Sequence, residues 1–378
     1  MPMLIHLAKT SDPGRPVVYR SHIQLRADLA ADQESNTAEV WRWLWSYVKE
    51  ADAFVSHPVS AFVPGEVPME KLFYMPATTD WLDGLNKPLP RQSLRYYLQE
   101  FNSLCRRERM PTLDYPRRDF VVQIARFDPS KGILDCLAAY AEFRRHSNFC
   151  RNEARGQSPQ LVICGELLGA ARPSQDLTDA DLGHGSIDDP DGSIVLAQVQ
   201  EALQSQYADL QDSIIVLRLP PNDQLLNALL SCAKVALQLS TQEGFEVKVS
   251  EALHKGVPVI ARDVGGLSLQ VEHDRNGFLV HGLDREAEIR AVAEYLDVLF
   301  DQQDRYAAMS RRAQVSVSDE ISTVGNAICW MYLIQHLIDG KEIGFNGQRG
   351  RWIWDAARAA AGEPITKDEV DLPRHLTV

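Results

Sequence analysis

The chain has 378 residues, enough for two domains with a core each. Its apolar (45%) and charged (24%) fractions are those of an ordinary globular protein. Lys and Arg number 39 against 52 Asp and Glu, a net charge of −13 that argues against nucleic acid or an anionic membrane as the main partner.

In chain order, the N-terminus MPMLIHLAKTSDPGRP lacks the apolar stretch of a secretory signal. Val17–Ile23 reads as a strand, with Arg20-Ser21-His22 near its end. A helix is expected from about Thr37, with Val40, Trp43, Leu44, Tyr47 and Val48 as its buried stripe. Ala53–His57 and Lys71–Ala77 read as further strands around a Pro-rich turn region. Three strands and one good helix resemble half of a doubly wound sheet, and a parallel sheet so cut is expected to leave apolar edges, uncovered faces and a tendency to self-associate. Residues 80–119 read as a linker with a short helix near Leu94–Leu104, and a domain boundary is placed near Pro116.

Phe120–Phe127 opens a second domain as a strand, followed by the loop Asp128–Gly132 and a helix over Ile133–His146. Further strands are expected over Leu161–Gly165, 213–219, Val235–Ser240, Val257–Ala261 and Gly277–Val280. Helices are expected over 194–206, 222–233 (Asn222 as N-cap), Val247–Lys255, 285–302, 304–316, 320–338 and Arg351–Ala360. Helix 320–338 reads as apolar, carrying Val324, Ala327, Trp330, Leu333, Ile334 and Leu337. Gly256 is expected to end helix Val247–Lys255 in a left-handed turn. The acidic stretch Ala171–Ser193 reads as a solvated loop. The expected division is 1–116, 117–318 and 319–378, the last packing back on the first.

Two loops could carry chemistry. Arg126 ends one strand and Lys131 follows five residues later at a helix start, a pairing that suits a phosphate clamp, although an exposed turn would have the same pattern. Glu243 sits in the loop after Val235–Ser240 and Glu251 on the helix beyond. Eight positions apart, they cannot meet on one continuous helix and converge only if Glu243 lies in the loop before it, which Gly244 permits. Such acids accept hydroxyls of a sugar while free amides hold an anion, and they would equally make a solvated helix start. The six cysteines (Cys105, Cys136, Cys150, Cys164, Cys232 and Cys329) lack CxxC spacing and read as thiols in a reducing compartment, with the cytoplasm as default. No HxxxH or Cys/His cluster appears at metal-ligand spacing, and no metal is expected.

These segments, with VVYRSHIQLRADL, SHPVSAFVP, MPATTDWLDGLNKP, QIARFDPSKGI, GHGSIDDPDGS, LQLSTQEGFEVKVSEALHKGVPVIARDVGG and RWIWDAAR, resemble retaining glycosyltransferases of the GT-B fold. More narrowly they resemble the family-4 group holding fungal-type trehalose phosphorylases and trehalose glycosyltransferring synthases. The resemblance implies an α/β chain with a complete C-terminal Rossmann-like domain and an incomplete N-terminal one. It implies reversible phosphorolysis of trehalose to glucose and α-glucose 1-phosphate. Trehalose synthesis from a nucleoside diphosphate glucose is the alternative, as is an inactive fragment lacking the Gly-rich turn of such enzymes. No cofactor is implied; phosphate or the nucleotide sugar is a substrate. By position, Arg126 and Lys131 would hold the phosphate, Glu243 with the Gly244 and Phe245 amides the glucosyl hydroxyls, and Glu251 a nucleotide ribose where one is used. His22 and Arg20 would face the sugar. Glu246 stands where nucleotide-sugar users commonly carry a small residue, which leans towards phosphate.

Overall fold

The structure is a computed structural model describing residues 2–152, 158–166, 191–282, 284–340, 352–363, 366 and 369–374. The acidic stretch Ala171–Ser193 therefore lies almost wholly outside the described residues, as does most of GHGSIDDPDGS. The chain groups into two compact units, Met1–Asp80 with Glu243–Val247 and Val317–Val378, and Trp81–Gln242 with Lys248–Ser316.

The first unit begins with α1 (Met3–Ser11), β1 (Val18–Arg20), α2 (Ala27–Ala31), α3 (Asn36–Val48), β2 (Ala53–Ser56) and β3 (Leu72–Tyr74). The strands pair in parallel in the order β1-β2-β3. Ser35 caps α3, its side chain accepting from the Thr37 amide at 3.0 Å. The expected stripe on this helix is displaced. Val40 and Trp43 are exposed, and the helix buries Ala38, Trp41 and Val48 against Phe54 and Leu72. Apolar residues occupy most positions from 38 to 48, so spacing alone does not choose the face; the fit of the Trp41 ring over the sheet does.

The second unit begins with α4 (Arg91–Arg107), β4 (Phe120–Ile124), α5 (Ile133–His146), α6 (Asn148–Asn152), β5 (Gln160–Glu166), α7 (Gly192–Ser205), β6 (Ile214–Leu219) and α8 (Asp223–Cys232). It continues with β7 (Val235–Gln238), α9 (Val247–His254), β8 (Val259–Arg262), α10 (Leu267–Gln270), β9 (Gly277–Val280), α11 (Arg285–Asp301) and α12 (Gln303–Gln314). All six strands are parallel, in the order β6-β5-β4-β7-β8-β9. Their apolar faces build one core with Phe143, Leu296 and Phe300. Asn222 caps α8 as expected, accepting from the Leu225 amide at 3.1 Å. Gly256 closes α9 at φ +74°, with Val257 N donating to Ala252 O at 3.0 Å and Gly256 N to Leu253 O at 2.8 Å.

Residues 81–116, expected to close the first domain, group with this second unit. Helix α4 packs on α8, and the buried Asn227 donates to the carbonyls of Gly84 (2.9 Å) and Lys87 (2.8 Å). Trp81 stacks on His254 at 4.2 Å.

The chain then returns to the first unit with α13 (Thr323–Ile338) and α14 (Ile353–Ala360). Here the expectation of uncovered sheet faces is corrected. Cys329, Leu333, Ile353 and Trp354 cover Ala53, Val55, Phe73 and Met75, so the three-stranded sheet is packed on both faces. Of the apolar residues on α13, Leu333 is buried with Asn326 and Cys329, Trp330 and Leu337 pack against the same cluster, and Val324, Ala327 and Ile334 face outward. Among the described residues no helix is long and apolar enough to cross a membrane.

Candidate functional site

In the second unit the strands run outward from β4 on one side and from β7 on the other, so connections reverse between these two neighbours. A doubly wound sheet opens its ligand crevice there, at the strands' carboxyl ends. The loop leaving β4 carries Arg126 and Lys131. Asp128 accepts from the Ser130 amide (2.8 Å) and hydroxyl (2.6 Å), bending Pro129–Lys131 into a tight 3-10 turn. Gln123 donates to the Lys131 carbonyl at 2.8 Å, and the Thr241 amide, in the loop leaving β7, donates to Ser130 O at 2.7 Å. The two loops are thus laced together beside the switch point. Arg126 is half-buried and Lys131 buried. Burial pushes the Asp128 carboxyl up, but the Ser130 hydroxyl and amide, Arg126 and Lys131 overcome it and leave it below its ordinary value. Both cations stand on the one short loop leaving β4, and the charge of each is felt by Asp128.

In the first unit, Arg20, His22, Gly244 and Phe245 gather around a residue the sequence reading passed over, His57. It follows β2 and is buried. Its Nε2 faces the His22 carbonyl at 3.2 Å, which fixes the proton there and leaves Nδ1 to accept from Arg20 at 3.4 Å. Phe245 stacks on the ring at 5.8 Å. A Cβ on Gly244 would sit 3.1 Å from His22 O and 3.5 Å from His57 Cδ2, so the loop backbone rests on this pair. The Gly244 amide donates to its neighbour Glu243 at 3.2 Å. Arg20 ties strand ends together, donating to the carbonyls of Met75 (2.8 Å), Ser56 (3.2 Å) and Pro76 (3.2 Å). His22 is exposed as a residue, yet partial desolvation of its ring, then the Arg20 charge, lowers its pKa. The sequence offers only a local hint of His57, a histidine at the carboxyl end of an expected strand and directly before Pro58; its partners lie too far along the chain for spacing to show.

Burial, then the Arg20 charge, lowers the His57 pKa to about 3 from 6.5. Below pH 6.5 the unfolded chain takes up a proton that the folded chain refuses, so stability present above that pH is lost as the pH falls towards 3. The full slope is about 1.4 kcal/mol per pH unit. Between pH 7 and 5 the parent is expected to lose about 2 kcal/mol more than His57→Gln in urea unfolding. Equal losses in the two proteins would refute a neutral buried His57.

Glu251 lies on α9 in the second unit. It is 1% exposed and accepts from Lys248 Nζ at 2.8 Å, an i,i+3 pairing that the sequence reading did not draw. Glu246 holds a left-handed backbone at φ +61° where α9 begins, a conformation costing a non-glycine residue about 1–2 kcal/mol. Strain of this kind concentrates at ligand sites. Among the described residues no group of three or more His, Cys, Asp or Glu side chains could hold a metal ion.

The family profile of the glycosyl transferases group 1 matches residues 106–315, more than half of the chain. The chain belongs to this family. This group 1 glycosyltransferase is 45% identical over 376 residues to a trehalose phosphorylase of Grifola frondosa, covering 99% of the chain and 48% of that relative. It is 26% identical to a trehalose synthase of Thermococcus litoralis over 72% of the chain and 54% of that protein. The chain spans about half the length of the curated relatives it matches. Among solved structures, the UDP-forming α,α-trehalose-phosphate synthase of Burkholderia xenovorans, seen with glucose-6-phosphate, superposes with a TM-score of 0.60 at 12% identity, over 88% of this chain and 71% of that one. At that identity the likeness is one of fold: α/β, of the GT-B glycosyltransferase class with parallel sheets.

Proposed function

We propose that this glycosyltransferase performs retaining hexosyl transfer, the reversible phosphorolysis of trehalose to glucose and α-glucose 1-phosphate. The observation that carries the reading is the placement of Arg126 and Lys131 on one tight loop, laced to the loop leaving β7, beside the β4/β7 switch point. Two cations fixed there suit an inorganic phosphate held against an anomeric carbon. A phosphate oxygen forms the bond to that carbon on the face from which the glucosyl oxygen departs. The phosphate proton passes to the departing oxygen, so glucose leaves neutral and no protein nucleophile is consumed. Glu243 and the Gly244 and Phe245 amides are assigned to the glucosyl hydroxyls, and His22 and Arg20 to the sugar's other side. The reaction needs no metal or organic cofactor. Phosphate is favoured over a nucleotide sugar because Glu251, the ribose-binding candidate, is buried against Lys248. The described cysteines are all free, which supports a reducing compartment such as the cytoplasm.

The test incubates the protein with trehalose and phosphate and assays glucose 1-phosphate, with a parallel arm measuring nucleotide release from UDP- or ADP-glucose with glucose. Lys131→Ala and Glu243→Ala are each expected to lower phosphorolysis about 10²-fold, roughly 3 kcal/mol of transition-state contact. Activity within about threefold of the parent in either variant would overturn that residue's role. Turnover only in the nucleotide arm would replace phosphate as the substrate.

A further inference from the structure

At the opposite end of the second unit's sheet lies a groove of about 490 Å³ between α4 and the segments leading into β4 and β7. Its apolar surface comes from Leu94, Leu98, Tyr115 and Pro116, with Cys232 beside them. Arg91 and Arg95, one helical turn apart on α4, stand over it. Both are exposed, and among the described residues neither has an ion-pair partner. No carboxylate lines the groove, although acids outnumber bases 52 to 39 in the chain. Asp119, whose charge reaches Tyr115, is held by Lys234 at 3.0 Å. The floor is uncharged as well. Burial and a mutual hydrogen bond push the Tyr115 hydroxyl up to about 12, and burial pushes the Cys232 thiol up. The volume falls within the usual range of small-molecule sites.

We propose that this groove is a second binding site, remote from the phosphate loop, for a small anion carrying a flat apolar body, an aromatic phosphate or carboxylate. The ring lies on Leu94, Leu98 and Tyr115, and the anionic head meets the Arg91 and Arg95 guanidiniums. Position separates the two sites: Tyr115 and Cys232 precede β4 and β7, whereas the loops with Arg126 and Thr241 follow them.

The probe is 1-naphthyl phosphate, with 1-naphthylmethanol, which stays neutral in the assay buffer, as the same ring without the charge. Cys232 serves as reporter: its slow iodoacetamide alkylation through the small thiolate fraction present in mildly alkaline buffer is followed by peptide mass spectrometry with Cys150 as internal reference. Because the readout is at Cys232, phosphate-head binding at the other end of the sheet does not register. At saturation the phosphate is expected to slow Cys232 alkylation about tenfold and leave Cys150 unchanged. Charge reversal in R91E/R95E is expected to weaken that protection by at least about tenfold, the equivalent of one lost charge-assisted contact. Saturable protection of Cys232 that vanishes in R91E/R95E supports the site. Absence of protection, equal protection in the charge-reversed protein, or equal protection by 1-naphthylmethanol would overturn it.

Discussion

Replacing Gly132 by alanine is expected to lower the free energy of unfolding by more than about 3 kcal/mol and to abolish transfer, placing it among the most damaging substitutions in the second unit. Gly132 joins the turn carrying Lys131 to α5, at φ +62° and ψ 30°. A left-handed backbone alone costs alanine about 1–2 kcal/mol. The larger effect is overlap, since a Cβ would lie 2.0 Å from the Leu239 carbonyl oxygen and 2.9 Å from its carbon. Leu239 directly follows β7, whose four residues are all buried, so neither backbone can yield without disturbing the sheet. Gly132→Asn separates the two causes. Asparagine tolerates the left-handed region but still carries a Cβ, so it should be about as unstable as alanine. Urea unfolding of both variants provides the measurement. A loss below about 1 kcal/mol in alanine would mean that the turn moves freely, and recovery by asparagine alone would mean that conformation outweighs overlap.

The loop around Gly132 was readable from sequence because its determinants are local: a strand's apolar run, the Asp-Pro-Ser turn, and a helix beginning at once. The same holds for Asn222 at the start of α8 and Gly256 at the end of α9, where one residue satisfies one orphan group or one special conformation. Arg126 and Lys131 came with it, being separated by a single turn. What was not legible depends on partners far along the chain. Helix α3 offers apolar residues on two sides, and only the sheet beneath decides that Trp41 goes in and Trp43 stays out. Helix α13 likewise keeps Val324 outward because Cys329 and Leu333 find β2 and β3. His57 is held by a residue 35 positions earlier, and Arg20 reaches carbonyls 36 to 56 positions away. Those distances exceed what spacing rules describe, so the cluster emerges only once the strands are laid side by side.

Arg262→Leu is expected to cost about 3–5 kcal/mol, because it breaks a buried ionic group by removing the shared partner. The Arg262 guanidinium, with 8% of its side chain exposed, donates to the Leu239 carbonyl at 2.5 Å, to Asp135 at 2.7 Å and to Glu288 at 2.9 Å. Burial works against its charge, yet the two carboxylates raise its pKa above the ordinary value. Without it, Asp135 keeps the more exposed Arg285 at 2.7 Å, while Glu288 and the Leu239 carbonyl lose their contacts with the guanidinium. Leu239 O is the same atom against which Gly132 is packed, so this network sets the height of the Lys131 turn above β7. Arg262→Lys tests whether charge or fork geometry matters. A lysine ammonium preserves the charge but cannot span three acceptors lying in different directions, so it should recover less than half of the stability lost in the leucine variant. In the proposed phosphorolysis, its kcat should also fall more than its KM changes, because Arg262 acts through the position of Lys131 rather than by touching a substrate. Full recovery of both stability and kcat by lysine would show that a point charge suffices there and that the fork has no part in setting the turn.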